Sequence, residues 1–166
     1  SLTYAESSAF YECNNLENVY YKGTIIDWLN IEFESNSANP MTYASHFYVL
    51  DENNEWTELT KVEFDKNLTT IKNLALKNIS SLKEVVIPKS VTSIGQSAFE
   101  GCISLESVYF EGTIEDWLNI EISIYGTSNP MIYAKHFYLL DENNNWYEPT
   151  EIVVPEGFTT IKQNIF

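Results

Sequence analysis

The sequence predicts a β-rich α/β solenoid, a stack of coils built on short parallel strands, two of them enlarged to carry a short helix and a hairpin. Three observations carry that expectation. The string Leu82-x-x-Val85-x-Ile87-Pro88-x-x-Val91-Thr92-x-Ile94 returns 23 positions later as Leu105-x-x-Val108-x-Phe110. It also stands 23 positions earlier as Leu59-x-x-Val62-x-Phe64-x-x-x-Leu68-Thr69-x-Ile71. A fixed short period of this kind marks stacked units rather than a globule. Aligned on that core, units start at Leu16, Leu59, Leu82, Leu105 and Pro149, so successive units run 43, 23, 23 and 44 residues. The long unit recurs almost verbatim: Gly23-Thr24-Ile25-x-Asp27-Trp28-Leu29-Asn30-Ile31 matches Gly112-Thr113-Ile114-x-Asp116-Trp117-Leu118-Asn119-Ile120, and His46-Phe47-Tyr48 matches His136-Phe137-Tyr138. Residues 1–166 are thus expected to form one solenoid domain whose first and last units are truncated, a piece of a longer array.

Each element follows from local chemistry. Leu82, Val85 and Ile87 alternate at their end as a strand does, with Val86 turned the other way. Pro88 removes a ladder donor, and Val91 to Ile94 resumes as a second short extended piece. Ser97 to Cys102 has room for no more than a helical turn, and Phe99, Cys102 and Leu105 then point back inside. In the long unit, Thr24 and Thr113 stand three residues before Asp27 and Asp116, the spacing of a capping box ahead of a helix. Asn39 is placed to cap a second short helix with Pro40 in its first position. His46 to Leu50 reads as a strand, Asp51 to Asn54 as a polar turn, and Glu55 onward as one returning strand into Val62.

Composition narrows the function. At 166 residues and 44% hydrophobic, the chain can bury a sizeable core. Nine Lys and Arg against 24 Asp and Glu leave a formal charge of −15, which repels phosphate backbones and anionic bilayers; no nucleic acid is expected as a partner. No apolar run approaches the roughly 18 residues of a spanning helix, so no membrane insertion of this segment is expected.

The string Val91-Thr92-Ser93-Ile94-Gly95-x-x-Ala98-Phe99-x-Gly101-Cys102-x-x-Leu105-x-x-Val108 resembles the BspA-type leucine-rich repeat of bacterial surface proteins, found also in some protists. The long Gly-Thr-x-x-x-Trp unit is similar to inserts among its members. The resemblance implies a leucine-rich-repeat solenoid, an extracellular or cell-surface location, more bacterial than protist, and adhesion. The chain departs from the pattern at Leu76 and Ile79, which replace Phe and Cys, and at Glu12, which stands where Gly101 does and puts the tight turn there in question.

Candidate chemistry is sparse. His46 and His136 occupy the same place in two copies of one unit, whereas a catalytic residue is normally unique; packing beside Phe47 and Phe137 at a strand start is expected, and the copies are too far apart to share a site. Cys13 and Cys102 each follow a Phe-x-x and are expected inside the column, buried and unpaired, because intervening coils hold their Cα atoms beyond the about 7 Å a disulfide allows. Asp51-Glu52-Asn53-Asn54 and Asp141-Glu142-Asn143-Asn144-Asn145 bear oxygens that suit a hard cation, but they lack the glycine and terminal glutamate of an EF-hand loop and read better as polar turns. Asn67-Leu68-Thr69 and Asn78-Ile79-Ser80 fit the N-x-S/T pattern, which an Asn-rich chain produces by chance. No catalytic residue, cofactor or metal ligand is assigned.

The chain holds four Trp and eleven Tyr. Trp28 and Trp117 share a helix with Leu and Ile and are expected in the core. Trp56 and Trp146 follow the polar turns and are expected on the hairpins' outer faces. Tyr20, Val86 and Tyr109 occupy outward strand positions flanked by Glu17, Lys83 and Glu106. These five, Tyr20, Val86, Tyr109, Trp56 and Trp146, are the candidate ligand contacts. The expected function is non-enzymatic: adhesion to a protein, either of the host extracellular matrix or another surface protein. A structural spacer rod and a carbohydrate-binding accessory module are the alternatives.

Overall fold

The computed structural model describes residues 2–162 and 165–166. Strand β1 (Tyr4–Ala5) and β2 (Asn18–Tyr21) precede helix α1 (Ile25–Leu29) and β3 (Glu32–Phe33). The hairpin arms β4 (His46–Leu50) and β5 (Trp56–Glu58) lead into β6 (Lys61–Glu63), β7 (Thr70–Ile71), β8 (Glu84–Ile87) and β9 (Ser93–Ile94). The second long unit supplies β10 (Ser107–Phe110), α2 (Ile114–Asn119), β11 (Glu121–Ile122) and the arms β12 (His136–Leu140) and β13 (Trp146–Tyr147). The chain is strand-rich with few helices, and most strand pairs among the described residues are parallel.

The largest sheet runs β6-β8-β10-β12 in parallel, with β13 antiparallel at its edge. Its register is that of the repeat: Val62, Val85, Val108 and Phe137 stand side by side, all buried. A second sheet, β7-β9-β11, aligns Ile71, Ile94 and Ile122. A third places β4 between β2, which is parallel, and β5, which is antiparallel. Full burial of aliphatic side chains such as these contributes roughly 1.5 to 3 kcal/mol each.

The hairpins differ from expectation in one respect. The returning strand into Val62 is split: β5 pairs back onto β4, the Leu59 amide still donates to Phe47 (2.9 Å), and Thr60 then turns its carbonyl to Lys83 and Glu84 as β6 joins β8. One sequence stretch thus serves two sheets, because each offers it a free edge. The arm His46–Leu50 is also a parallel partner of β2, so each long unit contributes two parallel strands to its sheet.

Both helices start at a full capping box. Thr24 Oγ1 accepts from the Asp27 amide (3.1 Å) while Asp27 Oδ2 accepts from the Thr24 amide (3.1 Å); Thr113 and Asp116 repeat it. Burial pushes the Asp116 carboxyl up, but hydrogen bonds from Thr113 and the Lys89 ammonium outweigh it and hold the group below the ordinary range. Each helix turns a tryptophan inward, and its indole N–H finds a carbonyl: Trp28 donates to Ala75 and Trp117 to Ile165, both at 2.9 Å. A buried indole without that partner would carry a desolvation cost. Asn39 caps a 3-10 turn at Pro40–Thr42 by accepting from the Met41 amide, as expected, and its amide group reaches across to the Leu74 carbonyl (2.9 Å).

One expectation fails at the first coil. Cys13 is exposed rather than buried, while Cys102 is buried with its thiol donating to the Leu76 carbonyl (3.1 Å); the two are unpaired. The turn at Glu12 forms despite the missing glycine: φ is 61° there, close to 56° at Asn78 and 77° at Gly101, the equivalent positions. The unit aligned at Pro149 also lacks its strand. Ile152 and Val154, the counterparts of buried Val62 and Phe64, are exposed, because among the described residues no strand lies beside them as β8 lies beside β6.

Candidate functional site

Alternation along the strands sends every second side chain away from the core, and the outward rows gather the aromatic residues. In the first long unit, Tyr20 of β2 stacks on Tyr48 of β4, with ring centroids 4.7 Å apart and planes 13° from parallel. Trp56 of β5 reaches over β4 and meets Tyr20 edge-on at 5.2 Å and 75°. In the second unit, Tyr109 of β10 and Tyr138 of β12 stack at 4.7 Å and 12°, and Trp146 of β13 meets Tyr109 at 5.1 Å and 72°. Two copies of one sequence have folded into two copies of one cluster. Aromatic pairs of these geometries add about 0.5 to 1.5 kcal/mol beyond their buried area.

Both clusters stay open to solvent: Tyr20 is 56% exposed, Trp56 43% and Trp146 39%. Of the candidate contacts, Val86, Tyr109 and Trp146 share the large sheet, with Val86 directly opposite Tyr109 on β8. Tyr20 and Trp56 share the smaller one. The five therefore form two groups, not one ladder.

Each cluster has a polar base. His46 Nδ1 lies 2.7 Å from Glu58 Oε1, and His136 Nδ1 lies 3.0 Å from Glu148 Oε1. The expectation that the histidines pack beside Phe47 and Phe137 is thus corrected. They do open their strands, but period-two alternation turns them to the opposite face, where they are exposed beside Tyr48 and Tyr138. Desolvation, then the Glu58 carboxylate, then Tyr20 push the Tyr48 phenol above its usual range; desolvation and Glu148 lead the same shift at Tyr138.

Sequence reasoning missed Tyr48, Tyr138, Glu58 and Glu148. The signal was present in the duplicated His-Phe-Tyr string and in the hairpin register, which sets Tyr48 opposite Glu58.

The other candidates take structural roles. Asp51 Oδ1 accepts from the amides of Asn53 and Glu55, and Asp141 Oδ1 from those of Asn143 and Asn145, at 2.8 to 2.9 Å. Asn54 and Asn144 follow in the left-handed region, as polar turns require. The Asn145 amide leads the set of bonds that hold the Asp141 carboxyl below its ordinary range. Among the described residues no group of three or more His, Cys, Asp or Glu is placed to hold a metal ion. The side chain of Asn78 is engaged with the Met41 carbonyl (2.7 Å). Burial pushes the Cys102 thiol up to about 12, so it stays protonated and inert at neutral pH. No helix among the described residues is long and apolar enough to cross a membrane.

A family model described as BspA type Leucine rich repeat region matches residues 1–54 and 49–119, in six copies. No curated protein and no solved structure matches the chain.

Proposed function

The chain belongs to the BspA-type leucine-rich repeat family, and from that premise we propose that residues 1–166 stack as a single solenoid domain and act as a non-enzymatic protein-binding module of a secreted or cell-surface protein. Its role is adhesion to another surface protein or to host extracellular matrix. The observation that carries the reading is the doubled aromatic cluster. Six Tyr and Trp side chains, Tyr20, Tyr48, Trp56, Tyr109, Tyr138 and Trp146, stand on outward sheet faces whose backbones are held by parallel pairing at the tyrosines and antiparallel pairing at the tryptophans. Rigid aromatic side chains supply large contact area at low entropic cost, and Tyr and Trp are enriched at protein interfaces. Val86 extends the second cluster by one strand. Affinity per cluster is modest, and repetition along an array multiplies it.

The test is adhesion of the purified chain to immobilised matrix proteins, compared with a variant carrying Tyr20→Ala, Trp56→Ala, Tyr109→Ala and Trp146→Ala. Loss of adhesion with unchanged thermal unfolding supports the reading. Unchanged adhesion sinks it in favour of a spacer rod. A glycan array that retains the wild-type chain and not the variant would transfer the same face to carbohydrate binding.

A further inference from the structure

Resting on the protein-binding reading, we propose that the two aromatic clusters are equivalent stations that each seat a cationic side chain, Arg or Lys, of one basic protein partner. Equivalence comes from geometry. The Tyr-Tyr distance is 4.7 Å at both stations, the Trp-Tyr distances are 5.2 and 5.1 Å, and the interplanar angles agree within 3°. The same residue types stand at each position, down to the His–Glu pair at the base. Two sites with the same groups in the same arrangement bind the same chemistry.

The charge of that chemistry follows from what surrounds the rings. Tyr and Trp faces carry negative quadrupoles and attract ammonium and guanidinium groups, about 0.5 to 1 kcal/mol per exposed contact. Part-exposed carboxylates stand beside the rings at both stations, Glu58 at the first and Glu148 at the second. Glu84 lies on the same outward face of β8, next to Ser107 of β10. Lys61, the cation on the adjoining strand β6, is neutralised by Glu63 at 2.8 Å. The histidines stand beside the rings too, and each is held by its glutamate, His46 Nδ1 at 2.7 Å from Glu58 Oε1 and His136 Nδ1 at 3.0 Å from Glu148 Oε1. The whole chain carries −15, so an anionic ligand is repelled before contact and a basic one is steered in. Neither station encloses its ligand, so one alone binds weakly, and a partner bearing two cations at the right spacing gains by effective concentration.

The experiment is a titration of the intact chain with a short arginine-rich peptide, read by the indole N–H signals of the four tryptophans. The expected result is that Trp56 and Trp146 shift saturably with the same affinity while buried Trp28 and Trp117 stay still. A citrulline peptide of the same length should leave all four unmoved. Trp56→Ala should reduce the bound peptide from two to one, and Glu58→Gln should weaken that station about two- to fivefold. Trp56→Ala with Trp146→Ala leaves the net charge untouched, so undiminished peptide binding to that double variant, read by calorimetry because both reporting indoles are gone, would be diffuse charge attraction and would overturn the proposal. Equal shifts with the citrulline peptide, or with a neutral oligosaccharide, would overturn it too. Should the peptide fail while the fourfold alanine variant still loses adhesion, the cationic identity falls and the protein-binding reading stands. Should both fail, both fall.

Discussion

Phe10-x-x-Cys13 and Phe99-x-x-Cys102 are the same phrase in two coils, 89 positions apart, yet the second pair is wholly buried while Phe10 is half-buried and Cys13 exposed. The coils are alike on one side. A tyrosine hydroxyl of the following long unit accepts from the turn amide in each, Tyr43 from Glu12 (3.4 Å) and Tyr133 from Gly101 (3.0 Å). They differ on the other. The coil of Cys102 lies against residues 74–78, joined by amide-to-carbonyl bonds from Leu74, Leu76 and Asn78 to Gln96, Ala98 and Glu100. Among the described residues nothing covers that side of the coil of Cys13. A coil therefore does not bury its own apolar residues; its neighbours do.

The sharpest way to break this comparison is truncation of its two phenylalanines. Phe99→Ala should cost about 3 to 5 kcal/mol of unfolding free energy and Phe10→Ala less than half as much, measured by denaturant midpoints. Equal losses would mean the first coil is covered after all. Leu105→Ala should follow at about 2 to 5 kcal/mol, with Leu16→Ala below it because Leu16 is only partly buried. On the opposite face, Glu106→Ala should stay within about 0.5 kcal/mol; a loss matching that of Leu105→Ala would reverse inside and outside along this strand.

The thiols sharpen the comparison chemically. In the native protein a thiol reagent should label Cys13 promptly and Cys102 only on unfolding. Because burial raises the Cys102 thiol from the ordinary thiol value near 9 to about 12, the folded state keeps a proton that the unfolded state gives up. Its contribution to stability is present in full below about pH 9 and is lost as pH climbs toward 12. The stability gap between wild type and Cys102→Ala should shrink across that window, and a constant gap would count against a desolvated thiol. Opposite signs are expected at the turn. Glu12→Gly should raise stability by no more than about 1 kcal/mol, since it relieves a left-handed non-glycine residue. Gly101→Ala should lower it, since an added Cβ would meet the Asn78 amide oxygen at 2.1 Å. Thermal unfolding of the two variants checks both signs.

The elements were legible wherever their cause was local. The capping boxes at Thr24 and Thr113, the Asn39-Pro40 cap and the bounds of His46–Leu50 all stand where the residues place them, because each depends on contacts within a few positions. The site was half legible. Trp56 and Trp146 emerge on outer faces as expected, but Tyr48 and Tyr138 became visible only when β4 and β12 were found to pair in parallel with β2 and β10. Sequence spacing does not say which edge a strand will choose.

The sequence alone determined the repeat, the residues of each unit that face inward and the duplication that makes two aromatic clusters, since period and alternation are properties of the chain itself. Tertiary structure alone decided which of those inward residues are covered, how the segment from Glu55 to Val62 divides between two sheets, and the backbone of the turns. Leu74 (φ 62°) and Asn78 (φ 56°) adopt the left-handed conformation of Ser97 (φ 53°) and Gly101 (φ 77°) without being glycine. Their amides are held by the carbonyls of Gln96 and Glu100 in the next coil, at 2.9 and 2.6 Å. Bonds that couple residues more than 20 positions apart outweigh the about 1 to 3 kcal/mol that a strained residue costs, and no local reading contains them.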